Sequence, residues 1–117
     1  MHLEYVNVSK KICKKIEKTK KSGNKVIACG TSTVRAIETA AINGKIKPFN
    51  GNTNIFIKPG FVFKVTDSII TNFHLPKSPL LILISTFYNI KLIIKSYEEA
   101  KKKKYRFLSY GDAMLIY

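Results

Sequence analysis

The chain has 117 residues, the size of one ordinary domain, which leaves no room for separate substrate and cofactor domains. Its 21 Lys and Arg outnumber seven Asp and Glu for a formal charge of +14, yet 45% of residues are hydrophobic. That share, with runs such as Leu80-Leu81-Ile82-Leu83-Ile84, excludes disorder as the main state and allows burial of roughly two-thirds of the unfolded surface.

Ser9 is suited to cap a helix running to about Lys21, with Gly23 as its stop. Lys10, Lys11, Lys14, Lys15, Lys18, Lys20 and Lys21 alternate there with Ile12, Cys13 and Ile16, so the lysines are expected on the solvent side. Lys25-Val26-Ile27-Ala28-Cys29 reads as a short buried strand ended by Gly30. Thr31-Ser32-Thr33 supplies hydroxyl caps for a second helix, in which Val34, Ile37 and Ala41 share one face and Arg35 and Glu38 another. Asn43-Gly44 ends that helix. Residues 45–54 read as loop, and residues 54–57 and 61–65 as strands around a Lys58-Pro59-Gly60 turn. After a polar stretch, Ser78-Pro79 starts an apolar helix to Tyr88. A further helix from about Leu92 to Lys103 carries Ile93, Ile94, Tyr97 and Ala100. Alternating helices and short strands predict an α/β fold, a small mixed sheet with packed helices in one unit of residues 1–117.

Cys13 and Cys29 form neither a disulfide framework nor a metal-ligand spacing, so a reducing cytoplasm and no metal are expected. Met1-His2-Leu3-Glu4 opens no apolar leader. The longest uncharged apolar stretch, Ser78 to Ile90, is shorter than the roughly 18 residues that span a bilayer, and reads as a buried helix rather than a membrane span.

The basic residues cluster: eight in residues 1–25, six in 26–90 and seven in 91–117. The run Lys101 to Lys104, followed by Tyr105-Arg106-Phe107, resembles a patch that attracts phosphate without reading bases. A solvated helix face is the alternative reading of the first cluster, and a lysine-rich composition with no function attached is that of the combined charge.

Three segments hold candidate chemistry. In Cys29-Gly30-Thr31-Ser32-Thr33-Val34-Arg35 a strand turns into a helix start, where backbone N–H groups and hydroxyls meet the positive end of the helix dipole. That suits phosphate or carboxylate, although a capped helix start explains it as well, and no dinucleotide or P-loop pattern is present. In Asp67-Ser68-Ile69-Ile70-Thr71-Asn72-Phe73-His74-Leu75-Pro76-Lys77-Ser78, His74 is a candidate for proton transfer near neutral pH. Its polar groups are either turn builders or a site. In Arg106 to Met114, Gly111 permits a turn, Asp112 accepts hydrogen bonds and Tyr110 offers a stacking face.

Taken together, these segments resemble the C-terminal third of the S-adenosylmethionine:tRNA ribosyltransferase-isomerase family of queuosine biosynthesis. The resemblance is carried by Met1-His2 with Glu4, by Val26 to Arg35 with Glu38 and Ala40-Ala41, by Thr53 to Phe61, by Thr71 to Ser78, and by Tyr105-Arg106-Phe107 with Ser109 to Leu115. The blocks Asn72-Phe73-His74-Leu75-Pro76-Lys77-Ser78 and Ser109-Tyr110-Gly111-Asp112-Ala113-Met114 are the most specific.

The resemblance implies a fragment of a larger two-domain enzyme, α/β plus β-barrel. It implies S-adenosylmethionine as co-substrate, whose ribosyl part is transferred to 7-aminomethyl-7-deazaguanine in tRNA and rearranged to epoxyqueuosine, with loss of adenine and methionine. In that frame His74 or Asp67 is the candidate base. The candidate substrate contacts are Gly30, Thr31, Ser32, Thr33, Arg35, Glu38, Asn72, Lys77, Tyr110 and Asp112. Three positions depart from the family pattern: Pro79, Cys29 and Asn89. Family members are roughly three times longer, so a split or truncated product is expected, inactive unless a separately encoded N-terminal fragment supplies the rest. The alternatives are an inactive remnant, a basic tRNA-binding module, and an unrelated phosphate-binding α/β domain.

Overall fold

The computed structural model describes residues 3–75 and 78–117. Its elements in chain order are β1 (Glu4–Val8), α1 (Lys10–Lys21), β2 (Ile27–Cys29), α2 (Thr31–Ala40), β3 (Phe49–Thr53), β4 (Ser68–Asn72), α3 (Pro79–Ser85), α4 (Ile90–Lys102) and β5 (Ala113–Ile116).

The helices begin where local chemistry directs them. The Ser9 hydroxyl accepts from the Ile12 N–H at 3.2 Å, and Gly23, at φ 77°, follows the end of α1 as the left-handed stop. Ser78 accepts from the Leu81 N–H at 3.2 Å with Pro79 in the first turn of α3. Asn89, one of the departures from the family pattern, caps α4 through bonds from the Lys91 and Leu92 N–H groups. α3 and α4 meet at a bend of 114°, and among the described residues no single helix is long and apolar enough to cross a membrane.

Two sheets flank α2. β1 and β3 pair antiparallel from Glu4 opposite Thr53 to Val8 opposite Phe49. The second sheet has the order β2-β4-β5, with β2 parallel to β4 and β5 antiparallel to it, so it is mixed as expected. α2 packs on β1, β2, β3, β4 and α3, so both of its faces are buried. Arg35 and Glu38, expected on a separate face from Val34 and Ile37, are as buried as they are.

Several expected elements differ. Residues 45–54 contain β3, held by the ladder to β1 despite the low strand propensity of Phe49-Asn50-Gly51-Asn52-Thr53. Residues 54–57 and 61–65 form no strands, although the turn between them is present, with the Phe61 N–H bonded to the Lys58 carbonyl at 2.9 Å. Ile57 is fully enclosed, but the Lys64, Val65 and Thr66 N–H groups go to the Glu38 carboxylate instead of a ladder. The stretch from Asp67 to Ser78 contains β4, the central strand, where residue type alone suggests only a polar connection. β1 and β5 are likewise strands that local sequence does not announce.

Candidate functional site

β2 and β4 run parallel, so their carboxyl ends open on one side of the sheet, the position at which open α/β sheets hold ligands. A cleft of about 420 Å³ lies there. Its walls are Cys29 and the Gly30 to Thr33 turn, then Thr71, Asn72, His74 and Leu75 at the end of β4, Ser78 and Leu80 from the start of α3, and Leu108 with Ser109 from the C-terminal turn. A larger groove of about 620 Å³ runs along α4, but its lining joins aliphatic and aromatic carbon to lysine stems and gathers no turn of backbone donors.

The turn after β2 is built around Gly30. At φ 93° and ψ 149° its backbone occupies a region open essentially to glycine alone, and its N–H donates to the Ile70 carbonyl at 2.8 Å, linking the turn to β4. α2 has no side-chain cap at Gly30. The backbone donors of its first turn therefore border the cleft at the positive end of the helix dipole. Thr33 donates its hydroxyl to the Cys29 carbonyl at 2.8 Å, and Ser32 donates to Glu4 at 2.8 Å.

His74 is half-buried beyond the end of β4. Its Nε2 lies 2.8 Å from the Thr71 hydroxyl, and its backbone N–H donates to the Tyr97 hydroxyl at 2.9 Å. Burial holds the imidazole below its ordinary value of 6.5, so the ring is neutral at neutral pH. A neutral ring has one nitrogen that donates and one that accepts. If Thr71 accepts from Nε2–H, then Nδ1 is the basic nitrogen.

The expected site residues divide. Gly30, Thr31, Ser32, Thr33, Asn72 and His74 meet in the cleft. Asp67 does not join them: the five residues of β4 separate it from His74 by roughly 16 Å of strand. Burial alone would raise the Asp67 carboxyl, but hydrogen bonds from the Val26 N–H at 2.8 Å and from Lys20, with the charges of Lys20 and Lys25, outweigh it and hold the group below its ordinary value. Asp67 ties the start of β2 to α1 instead of acting beside His74.

Arg35 and Glu38 also lie outside the cleft lining. Arg35 is 2% exposed, and its Nη1 meets Glu4 Oε1 at 2.9 Å while Nη2 donates to the Ile55 carbonyl at 3.3 Å. Its charge is thus engaged by Glu4 inside the fold. Glu38, fully buried, accepts from three backbone N–H groups and from the Thr66 hydroxyl at 2.7 Å.

Asp112 closes the C-terminal turn by accepting from the Arg106 N–H at 2.7 Å and from its guanidinium at 3.3 Å, bonds that hold its carboxyl below the ordinary value. Its carbonyl is 3.4 Å from Asn72 Nδ2. Tyr110 is 99% exposed, one residue beyond the cleft wall at Ser109. Lys77 lies outside the described residues, as do Met1 and His2 of the matching stretches.

Thr71, Ser78 and Ser109 also line the cleft, although the sequence names none of them as a contact and leaves Thr71 and Ser78 among groups that are either turn builders or a site; Glu4 carries the resemblance without a role. The signal for Thr71 is its three-residue spacing from His74. The others depend on contacts between distant segments.

A family model described as "Queuosine biosynthesis protein" matches residues 1–116. The S-adenosylmethionine:tRNA ribosyltransferase-isomerase of Francisella tularensis subsp. novicida is 54% identical over 117 residues, all of this chain and 35% of that protein. The Francisella philomiragia protein of the same name is 52% identical over the same span. The crystal structure of the S-adenosylmethionine tRNA ribosyltransferase of Thermotoga maritima superposes with a TM-score of 0.91 at 43% identity, over 97% of this chain and 40% of that one. The chain thus spans about a third of the length of the curated relatives it matches. With a family model covering all but its last residue, and a fold shared with a 43%-identical structure, the chain belongs to the queuosine biosynthesis protein family.

Proposed function

We propose that this chain forms one wall of the active site of an S-adenosylmethionine:tRNA ribosyltransferase-isomerase, the remainder coming from the portion of the family's chain that these residues do not span. The observation that carries the reading is His74. It is a neutral, half-buried imidazole, hydrogen-bonded at Nε2 and facing the cleft at the start of α2, in a chain of this family.

In this reading S-adenosylmethionine is the co-substrate and the ribosyl acceptor is 7-aminomethyl-7-deazaguanine in tRNA, giving epoxyqueuosine. Nδ1 of His74 takes the proton from the carbon beside the sulfonium, and adenine and methionine leave. The N–H groups of Thr31 to Thr33 and the Thr31 hydroxyl receive the methionine carboxylate at the positive end of α2. Asn72 and Ser109 border the sugar, Tyr110 offers its exposed ring to a base, and Lys77 adds a cation. The reaction takes place in the cytoplasm, where tRNA is found.

The test combines the chain with the complementary portion of the Francisella relative, S-adenosylmethionine and tRNA carrying the modified base. Adenine is expected above the level of either piece alone, and His74→Ala should abolish it while tRNA binding stays intact. Turnover retained in His74→Ala would remove His74 from proton transfer.

A second reading, a tRNA-binding module without turnover, is favoured by α1, whose lysines are mostly exposed, and by the exposed run Lys101 to Lys104. A gel shift against tRNA at rising salt measures the binding that both readings require, and adenine release separates them. Under either reading, if α1 binds phosphate, exchanging Lys14 and Lys18 for Gln should lower the salt slope by about one for each phosphate no longer neutralised. Binding without adenine release in the combined assay supports the module alone.

A further inference from the structure

Away from the cleft, one sheet edge is left open. In the order β2-β4-β5, strand β5 pairs with β4 and with no other strand among the described residues. Its four residues, Ala113-Met114-Leu115-Ile116, hold no charge and no proline, two of the devices by which sheet edges resist pairing. Beside it runs a groove against α4. One section of about 620 Å³ includes Phe73, Leu92, Ser96 and Met114, and a second of about 370 Å³ shares Leu92, Ser96 and Met114 and continues to Leu115 and Tyr117. Apolar groups stand exposed along it, Leu92 at 41%, Leu115 at 51% and Tyr117 at 86%. An open edge beside an apolar trough suits an added strand, whose main chain pairs with the edge while alternate side chains fill the trough.

We propose that β5 and the α4 groove receive an extended, apolar strand from the portion of the family's chain that these 117 residues do not span. The chain accounts for 35% of its 54%-identical relative and 40% of the superposed Thermotoga chain, so most of the family's length lies outside it. An apolar surface of this kind ordinarily marks an interaction site. The other edge of the sheet is less suited, because β2 has three residues and Asp67 already takes the Val26 N–H just before it. Charge disfavours a second copy as the occupant: Lys95 lines the groove, with Lys103 and its partner Glu99 at 3.6 Å, and two chains of +14 would meet there.

The proposal depends on the reading above only in requiring a complementary portion. Its test mixes the purified 117-residue chain with the purified part of the Francisella tularensis subsp. novicida relative that it does not match, first without S-adenosylmethionine or tRNA and then with both for adenine release. A one-to-one complex is expected, with amide hydrogen exchange slowed at Ala113 to Ile116. Leu92→Lys and Leu115→Lys alter side chains already exposed, and each should weaken the complex about tenfold or more. Val62→Lys, which lines neither section of the groove, should leave it unchanged, and circular dichroism should match wild type for all three. Absence of a complex overturns the proposal, as does a complex indifferent to both groove variants, one that leaves β5 unprotected, or a homodimer through β5. Adenine release that both groove variants leave intact defeats the docking and spares the proposed function. A correct complex without adenine release does the reverse.

Discussion

The Thr71 hydroxyl lies 2.8 Å from His74 Nε2, joining a buried residue of the central strand to the imidazole three positions on. The bond sets the ring's orientation. With Thr71 accepting from Nε2–H, it also leaves Nδ1 as the nitrogen able to take a proton.

Thr71→Val keeps the shape and removes that acceptor. Adenine release by the combined enzyme should fall roughly tenfold, and Thr71→Ser should restore most of it. The working form of His74 is neutral, so activity is lost as pH falls through its value, which burial already depresses. An acceptor on Nε2–H favours the charged ring, so its loss lowers that value further. The acid limb of the pH profile in Thr71→Val should therefore move to lower pH. An unmoved limb would show that Thr71 does not act through His74.

Glu38→Ala should be the most destabilising of these changes. The carboxylate accepts from Lys64, Val65 and Thr66 main-chain groups and from the Thr66 hydroxyl, and its loss strands donors in the interior. At roughly 1 to 3 kcal/mol for each unsatisfied buried group, the loss should reach at least about 3 kcal/mol in urea unfolding. A change below about 1 kcal/mol would mean that the 64–66 segment finds other acceptors.

Gly30→Ala tests backbone conformation alone, because an added Cβ would meet nothing within 4 Å. At φ 93° and ψ 149° an alanine is strained by about 1 to 3 kcal/mol, and relief of that strain would re-aim the donors of Thr31 to Thr33. Both reduced stability and weaker binding of S-adenosylmethionine by the combined enzyme are expected, read by denaturation and calorimetry.

Three depressed groups make the fold acid-sensitive, the exposed Asp112 among them. His74 sits below its ordinary 6.5 and Asp67 below its ordinary 3.8. Each contributes stability that is present above its unfolded value and lost as pH falls through its lower folded value. The melting temperature should decline first below about pH 6.5 and again below about pH 4. Asp67→Asn should lower the melting temperature at neutral pH and flatten the second decline only. An unchanged second decline would show that other carboxylates govern it.

Much of the fold is legible locally. Ser9, Gly23 and Ser78 with Pro79 mark helix ends because capping and turn chemistry act within a few residues, while Asn43-Gly44 marks the turn that follows α2, which ends earlier at Ala40. The apolar spacing of Val34, Ile37 and Ala41 marks a helix for the same reason. β1, β3, β4 and β5 are not legible in this way. Phe49-Asn50-Gly51-Asn52-Thr53 becomes a strand only because Glu4 to Val8 lies opposite, and Ser68 to Asn72, polar at Ser68, Thr71 and Asn72, becomes one because β2 and β5 pair with it from distant parts of the chain.

The cleft divides in the same way. Gly30 to Thr33 and His74 are identifiable by residue type and by resemblance to the family. Asp67 and Glu38 share their chemistry with catalytic carboxylates, and only their placement in the fold separates them from His74. β4 carries Asp67 to the far end of the strand, and the burial of α2 on both faces turns Glu38 inward onto residues 64–66. The order of amino acids suffices for the helix starts, the family and the candidate groups, since these depend on neighbours in the chain. Which groups meet follows from the pairing of β2, β4 and β5 and from desolvation, because both depend on residues far apart in sequence.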